Sequence, residues 1–196
     1  QPVTKTHIIQ DFEELKKWLS QISPNQPFVF DTETDSLETL SAQLIGISLC
    51  TSAENMIYIP LRHQETLRNL AIDEVLALLK PIFENPAILK IGQNLKYDIH
   101  VLANAGIELQ GIGSDTMLES YVFNSASNRH DLGTLAKKYL ELDSISYEDL
   151  TGKGVKQIPF AEVVIEKAAE YSGEDVALTY KLHQLFSEKL HATEQE

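Results

Sequence analysis

Residues 28–33 read Phe28-Val29-Phe30-Asp31-Thr32-Glu33, an apolar run too short for a helix that passes directly into two acids. Such a run is a buried strand. Strand side chains alternate between faces, so Asp31 and Glu33 emerge side by side on one of them. Two carboxylates at the rim of a dry core repel each other and are costly to bury unless a hard divalent cation neutralises them. An isolated D-x-E at a strand end is more often a pair of solvated acids, so the rest of the chain has to supply the weight.

Upstream of this strand, Thr6-His7-Ile8-Ile9 reads as a short strand, and Asp11 caps a helical pattern of Phe12, Leu15, Leu19 and Ile22 that Pro24-Asn25-Gln26-Pro27 ends. Downstream, the β-like runs Gln43 to Cys50 and Asn55 to Ile59 flank the turn-suited Thr51-Ser52-Ala53-Glu54, which predicts an antiparallel hairpin. Asp73 to Phe83 reads as a helix and Ala87 to Ile91 as a fourth apolar strand. Gly92-Gln93-Asn94 then breaks the chain before a helical segment containing Tyr97, Val101 and Leu102. From Thr116 the strand signal disappears. Thr116-x-x-Glu119 reads as a capping box, Asp131 to Leu140 is helical, and Asp143 to Pro159 lacks periodicity, its Gly152-Lys153-Gly154 suggesting a mobile loop. Helical segments around Phe160 to Glu170 and Glu174 to Leu190 close the chain. The expected class is α/β, a central mixed sheet flanked by helices, in a single domain over residues 1–196.

Lys and Arg number 16 against 29 Asp and Glu among 196 residues, giving 16 − 29 = −13, a field that repels polyanions and argues against non-specific duplex binding. Cys50, the single cysteine, excludes an internal disulfide framework and suits a reducing compartment. With no apolar stretch long enough to span a membrane and no basic-then-apolar leader at Gln1, the chain is expected to be soluble and cytoplasmic. P-loop, G-x-S-x-G and H-E-x-x-H motifs are absent.

Two further acids stand out. Tyr171 and Asp175 lie four apart on a helical stretch, so phenol and carboxylate share a face. Asp98 follows Asn94-Leu95-Lys96-Tyr97 just after a strand, at a polar strand-to-helix junction where ligands are often met. The bland alternatives are a core tyrosine beside a surface aspartate, and a first-turn acid favoured by the helix dipole.

Taken in order, a strand-borne D-x-E, N-L-K-Y-D and Y-x-x-x-D resemble the three exonuclease motifs of the DEDD superfamily in its tyrosine branch, specifically the proofreading domains of bacterial DNA polymerase I. The resemblance runs through Phe30 to Leu37, Gly92 to Asp98, Asp115 to Tyr121, Arg129-His130-Asp131 and Gly152-Lys153-Gly154. It implies a ribonuclease-H-like fold and 3′–5′ exonuclease activity. Asp31, Glu33 and Asp175 would hold one divalent ion, and Asp31 with Asp98 a second, as Mg²⁺ or Mn²⁺, with water as the attacking group. The hydroxyl of Tyr171, together with Glu33, would orient that water rather than act as a base. Leu37 and Tyr147 match the family's terminal-base contacts, Tyr147 standing where better-known relatives carry phenylalanine. Gln93, Asn94, Lys96, Tyr97 and Arg129 match positions that touch the strand, with Lys96 and Arg129 as phosphate partners.

The implied partners are the 3′ end of single-stranded DNA and the polymerase domain of the same parent chain, near the nucleoid and away from any membrane. The chain reads as an excised, monomeric domain. Ser172-Gly173 departs from the alanines expected inside the third motif, and the glycine predicts a locally loose helix. Two alternatives stay open on the sequence: a catalytically silent domain of the polymerase, and a nuclease that trims RNA 3′ ends.

Overall fold

The computed structural model describes residues 5–193, and Gln1 with its leader reading lies outside them. Six strands build one mixed sheet: β1 (His7–Ile8), β2 (Phe28–Thr34), β3 (Leu44–Ser52), β4 (Asn55–Pro60), β5 (Lys90–Gly92) and β6 (Ile112–Asp115), in the spatial order β1-β4-β3-β2-β5-β6. Strands β2, β3 and β4 run antiparallel as the hairpin reading expects, while β5 lies parallel to β2, and β6 to β5. Helix α1 (Phe12–Leu19) follows β1 and is capped by Asp11, whose Oδ1 accepts from Glu14 N at 2.8 Å. Helices α2 (Ile72–Phe83) and α3 (Leu95–Asn104) supply the crossovers on either side of β5.

The alternation within β2 decides what each face of the sheet does. Phe28 and Phe30 point one way and meet Phe83 of α2 edge-to-face, with ring centroids 5.6 and 4.9 Å apart. Asp31 and Glu33 point the other way, opposite Ser48 and Gly46 of β3. Across that second face lies α7 (Ile165–Thr193), pinned where Ser48 Oγ donates to the Ser172 carbonyl at 3.1 Å and Ser172 Oγ donates to Ser48 Oγ at 2.8 Å.

Several sequence expectations change. The closing helices are one helix running straight through Gly173, and only a 3₁₀ turn at Phe160–Glu162 precedes it. A Cβ on Gly173 would collide with the side chain of Thr6, so the glycine lets the N-terminal segment lie directly on α7 instead of loosening it. The segment read as a loop contains α6 (Tyr147–Thr151), with a true capping box between Ser146 and Asp149. The box expected at Thr116 is absent, because α4 (Thr116–Phe123) is capped by Asp115 and Glu119 turns elsewhere. Strand β6 carries no legible strand pattern, and Ile22 falls beyond the end of α1. The helix expected over 131–140 is α5 (Leu132–Leu135), which runs on as a single π-helical turn. No helix among the described residues is long and apolar enough to cross a membrane.

Candidate active site

One oxygen from each of Asp31, Glu33 and Asp175 lies within 4.8 Å of the others, bringing the first and third motifs together. The register of β2 presents the first two, and the seat of Ser172 on Ser48 sets α7 at the height that delivers the third. Asp98 arrives from the other side. Strand β5 pairs with β2 only at Phe28 and Val29, leaving the β2 edge open further on, and α3 carries Asp98 into that gap. There its Oδ1 accepts from Thr32 N at 3.2 Å and from Thr32 Oγ1 at 2.5 Å, with the residue only 2% exposed.

Electrostatically the site is unbalanced. Burial pushes the Asp31 carboxyl up to about 6. Burial first, then the neighbouring acids, holds Glu33, Asp98 and Asp175 well above the usual carboxylate range. Among the described residues no lysine, arginine or histidine pairs with any of the four. Glu33 Oε1 is buried and takes no hydrogen bond. A set of oxygen donors without counter-charge, one of them orphaned, fits a hard divalent cation such as Mg²⁺ or Mn²⁺ and not a thiolate-seeking metal.

Tyr171 sits on α7 one turn before Asp175. Burial, followed by the fields of Asp175, Glu33 and Asp31, drives its hydroxyl far above the ordinary phenol range, so it stays protonated. Tyr147, the first residue of α6, is half-exposed with its ring centroid 6.2 Å from that of Tyr171 and stacked on Phe160 at 6.3 Å. Leu37, on the loop leaving β2, is 95% exposed.

Of the remaining expected strand contacts, Tyr97, Gln93 and Arg129 have protein partners of their own. The Tyr97 hydroxyl donates to the Ser36 carbonyl at 2.5 Å and also meets Thr34 Oγ1, which ties α3 to the Leu37 loop. Gln93 Nε2 donates to the His130 carbonyl at 2.9 Å while its Oε1 accepts from Thr116 Oγ1. Arg129 Nε reaches Asp131 Oδ1 at 3.2 Å, Lys96 is exposed, and Asn94 holds a left-handed conformation at the start of α3. Sequence reasoning missed Thr32, Ser48 and Ser172, whose roles depend on strand register. Asp115 it quoted only within a motif, although an acid directly before a helix is an N-cap signal.

The chain matches the 3′–5′ exonuclease family over residues 6–191. It is similar to DNA polymerase I of Pseudomonas aeruginosa, 43% identical over 189 residues that cover 94% of this chain and 21% of that protein. DNA polymerase I of Chloroflexus aurantiacus is 36% identical over 191 residues, 97% of this chain and 20% of the relative. The chain therefore spans about a fifth of the length of these curated relatives. Among solved structures, the POL domain of Pol1 from M. smegmatis, in complex with DNA primer-template and dNTP, superposes with a TM-score of 0.71 at 20% identity, covering 94% of this chain and 28% of that one. Escherichia coli RNase D, an exoribonuclease involved in structured RNA processing, gives 0.67 at 17% identity, with 96% and 46% covered. These structural likenesses establish the fold, the α/β arrangement of ribonuclease-H-like exonucleases.

Proposed function

The chain belongs to the 3′–5′ exonuclease family of bacterial DNA polymerase I, and from that premise we propose that it releases 5′-mononucleotides singly from the 3′ end of single-stranded or frayed DNA. It would proofread in the cytoplasm, near the nucleoid, as one monomeric domain of a longer chain whose polymerase domain is its partner. The observation that carries this reading is the convergence of Asp31, Glu33 and Asp175, with Asp98 beside them, in a site without counter-charge.

Asp31, Glu33 and Asp175 would hold one divalent ion, and Asp31 with Asp98 a second. When bound, such ions supply the acidity and charge neutralisation that an in-line phosphoryl displacement by water needs. The protein's own share is positional. Thr32 fixes Asp98 through two hydrogen bonds, so this acid is oriented before any substrate arrives. Tyr171, held protonated, orients the attacking water together with Glu33 and takes no proton from it. Tyr147 and Leu37 offer the faces that grip a splayed terminal base, and Lys96 and Arg129 offer charge to the phosphates. Gln93, Asn94 and Tyr97 border the strand.

Release of mononucleotide from 5′-labelled single-stranded DNA with Mg²⁺ or Mn²⁺ tests the reading, run beside RNA of the same sequence and beside the Asp98→Ala protein. A metal-dependent ladder shortening from the DNA 3′ end, lost in the variant, is the expected result. Faster loss of RNA would move the assignment to RNA trimming, and silence from folded protein would leave only a scaffold.

A further inference from the structure

Helix α3 begins without a cap of its own. Asn94 precedes it at φ 59° and ψ 52°, and its side chain makes no capping bond, although the first turn of any helix leaves backbone N–H groups unpaired. Two of those groups are taken from another element. Asp115 Oδ1 accepts from Asn94 N at 3.0 Å and Oδ2 accepts from Leu95 N at 2.8 Å. The same carboxylate caps its own helix α4, its Oδ1 accepting from Met117 N at 2.9 Å. One buried acid thus receives three backbone donors and faces the positive ends of two helices. The β5–β6 ladder, which pairs Gly92 with Asp115, holds it there. One turn along α3 from this clamp stands Asp98, in its bonds with Thr32 on the open edge of β2.

We propose that Asp115 is a positioning residue of the nuclease site: it caps α3 from outside and so sets where Asp98 meets Thr32. It touches neither substrate nor any of the four carboxylates, and acts only through the first turn of α3. The kinetic consequence rests on the exonuclease reading above, whereas the structural one does not.

Asp115→Ser separates the two duties of the carboxylate. Serine keeps a hydroxyl that caps α4 locally, but its single, shorter-reaching oxygen cannot hold Asn94 and Leu95 as well. The direct reporter is the Thr32 amide, which donates to Asp98, followed by NMR-detected hydrogen exchange in metal-free buffer. Expected is a rise of about tenfold or more in Thr32 exchange while the amides of β3 and β4 stay unchanged. In oligonucleotide hydrolysis kcat should fall about tenfold with KM near its original value. Asp115→Asn, which keeps one acceptor oxygen, should fall between, and it replaces the serine variant under the same criteria if that protein does not fold. Unchanged Thr32 exchange, or exchange that rises equally across β3, β4 and Thr32, would overturn the proposal, the second result marking Asp115 as a general stabiliser. If the wild-type chain hydrolyses nothing, the exonuclease reading falls while the exchange measurement still decides the role of Asp115.

Discussion

Two sets of carboxylates lie along α7, and they differ in what stands beside them: other acids in one, a histidine and a serine in the other. Asp31, Glu33 and Asp175 crowd together with Asp98 nearby, pushing one another's protons on, with no protein cation among the described residues to relieve them. About two turns further along the helix, Glu119 of α4 is buried, and although its Oε2, like Glu33 Oε1, has no hydrogen-bond partner, its Oε1 is bonded by His183 Nδ1 at 2.8 Å and by Ser114 Oγ. Glu119 is a strut that joins α4 and β6 to α7. The crowded acids join nothing that a neutral side chain would not hold as well, and their mutual repulsion costs stability. A fold retains such an arrangement where a ligand outside the chain completes it.

The largest effect that would break this contrast is loss of activity. Asp31→Asn or Asp175→Asn should lower mononucleotide release by about a thousandfold or more, because a carboxamide cannot supply the charge the ions require. Glu119→Gln should change kcat less than about threefold. Comparable losses from both sets would mean that they do not differ in kind.

Denaturation in EDTA should rank the two sites in reverse. Asp175→Asn removes a repelling charge and should raise stability by about 1 kcal/mol or more, whereas Glu119→Ala strands His183 and Ser114 and should cost about 2 kcal/mol. Urea midpoints for the metal-free proteins check both signs.

The pH dependence sharpens the comparison further. The Asp31 carboxyl titrates near 6 when folded and near 3.8 in its ordinary state, so the folded protein binds the extra proton between those values. Its contribution to stability is therefore present in acid and is lost as pH rises through that window. His63, buried against Tyr58 and pushed down to about 4, contributes the opposite sign over much of the same range, being destabilising as pH falls below its ordinary 6.5. Subtracting a Mn²⁺-free melting series from a Mn²⁺-loaded one cancels the histidine. The stabilisation due to the ion should grow steadily from pH 5 to pH 7, because the ion competes with protons for the same oxygens. A flat difference would detach the ion from these carboxylates.

How much of this was legible depends on the range of the interaction involved. The strand Phe28–Thr34 and the Tyr171–Asp175 spacing are local patterns, and periodicity alone placed the acids on the correct faces. Strand β6 is not legible because Ile112-Gly113-Ser114-Asp115 is a short edge, half of it exposed, with a single large apolar residue. The box read at Thr116-x-x-Glu119 failed because Glu119 prefers a histidine 64 residues away to the backbone beside it. The real box, at Ser146, lies outside the usual signature because aspartate, not glutamate or glutamine, fills its third position. Both the Asp115 clamp and the Thr32–Asp98 contact require knowing which strand ends first, and that is a property of the folded sheet alone.

Gly173 is the smallest test, and it lies two residues before Asp175 on α7. On helix propensity alone Gly173→Ala should gain about 1 kcal/mol. The new methyl group, however, would meet the Thr6 side chain, which is itself buried against α7, and overpacking of this kind costs about 1–3 kcal/mol. Thr6 directly precedes a two-residue strand held to β4 by a short parallel ladder, so the N-terminal segment yields more readily than the helix. The net result should be a loss of about 0–2 kcal/mol. Exchange protection should fall at His7 and Ile8 and hold at Val176 and Leu178. Pairing Gly173→Ala with Thr6→Gly should recover part of the propensity gain, a coupling that a double-mutant cycle measures directly. Lost protection across α7 itself would instead mean that the helix bearing Asp175 depends on the glycine, and that its position is less rigid than the Ser48–Ser172 bonds imply.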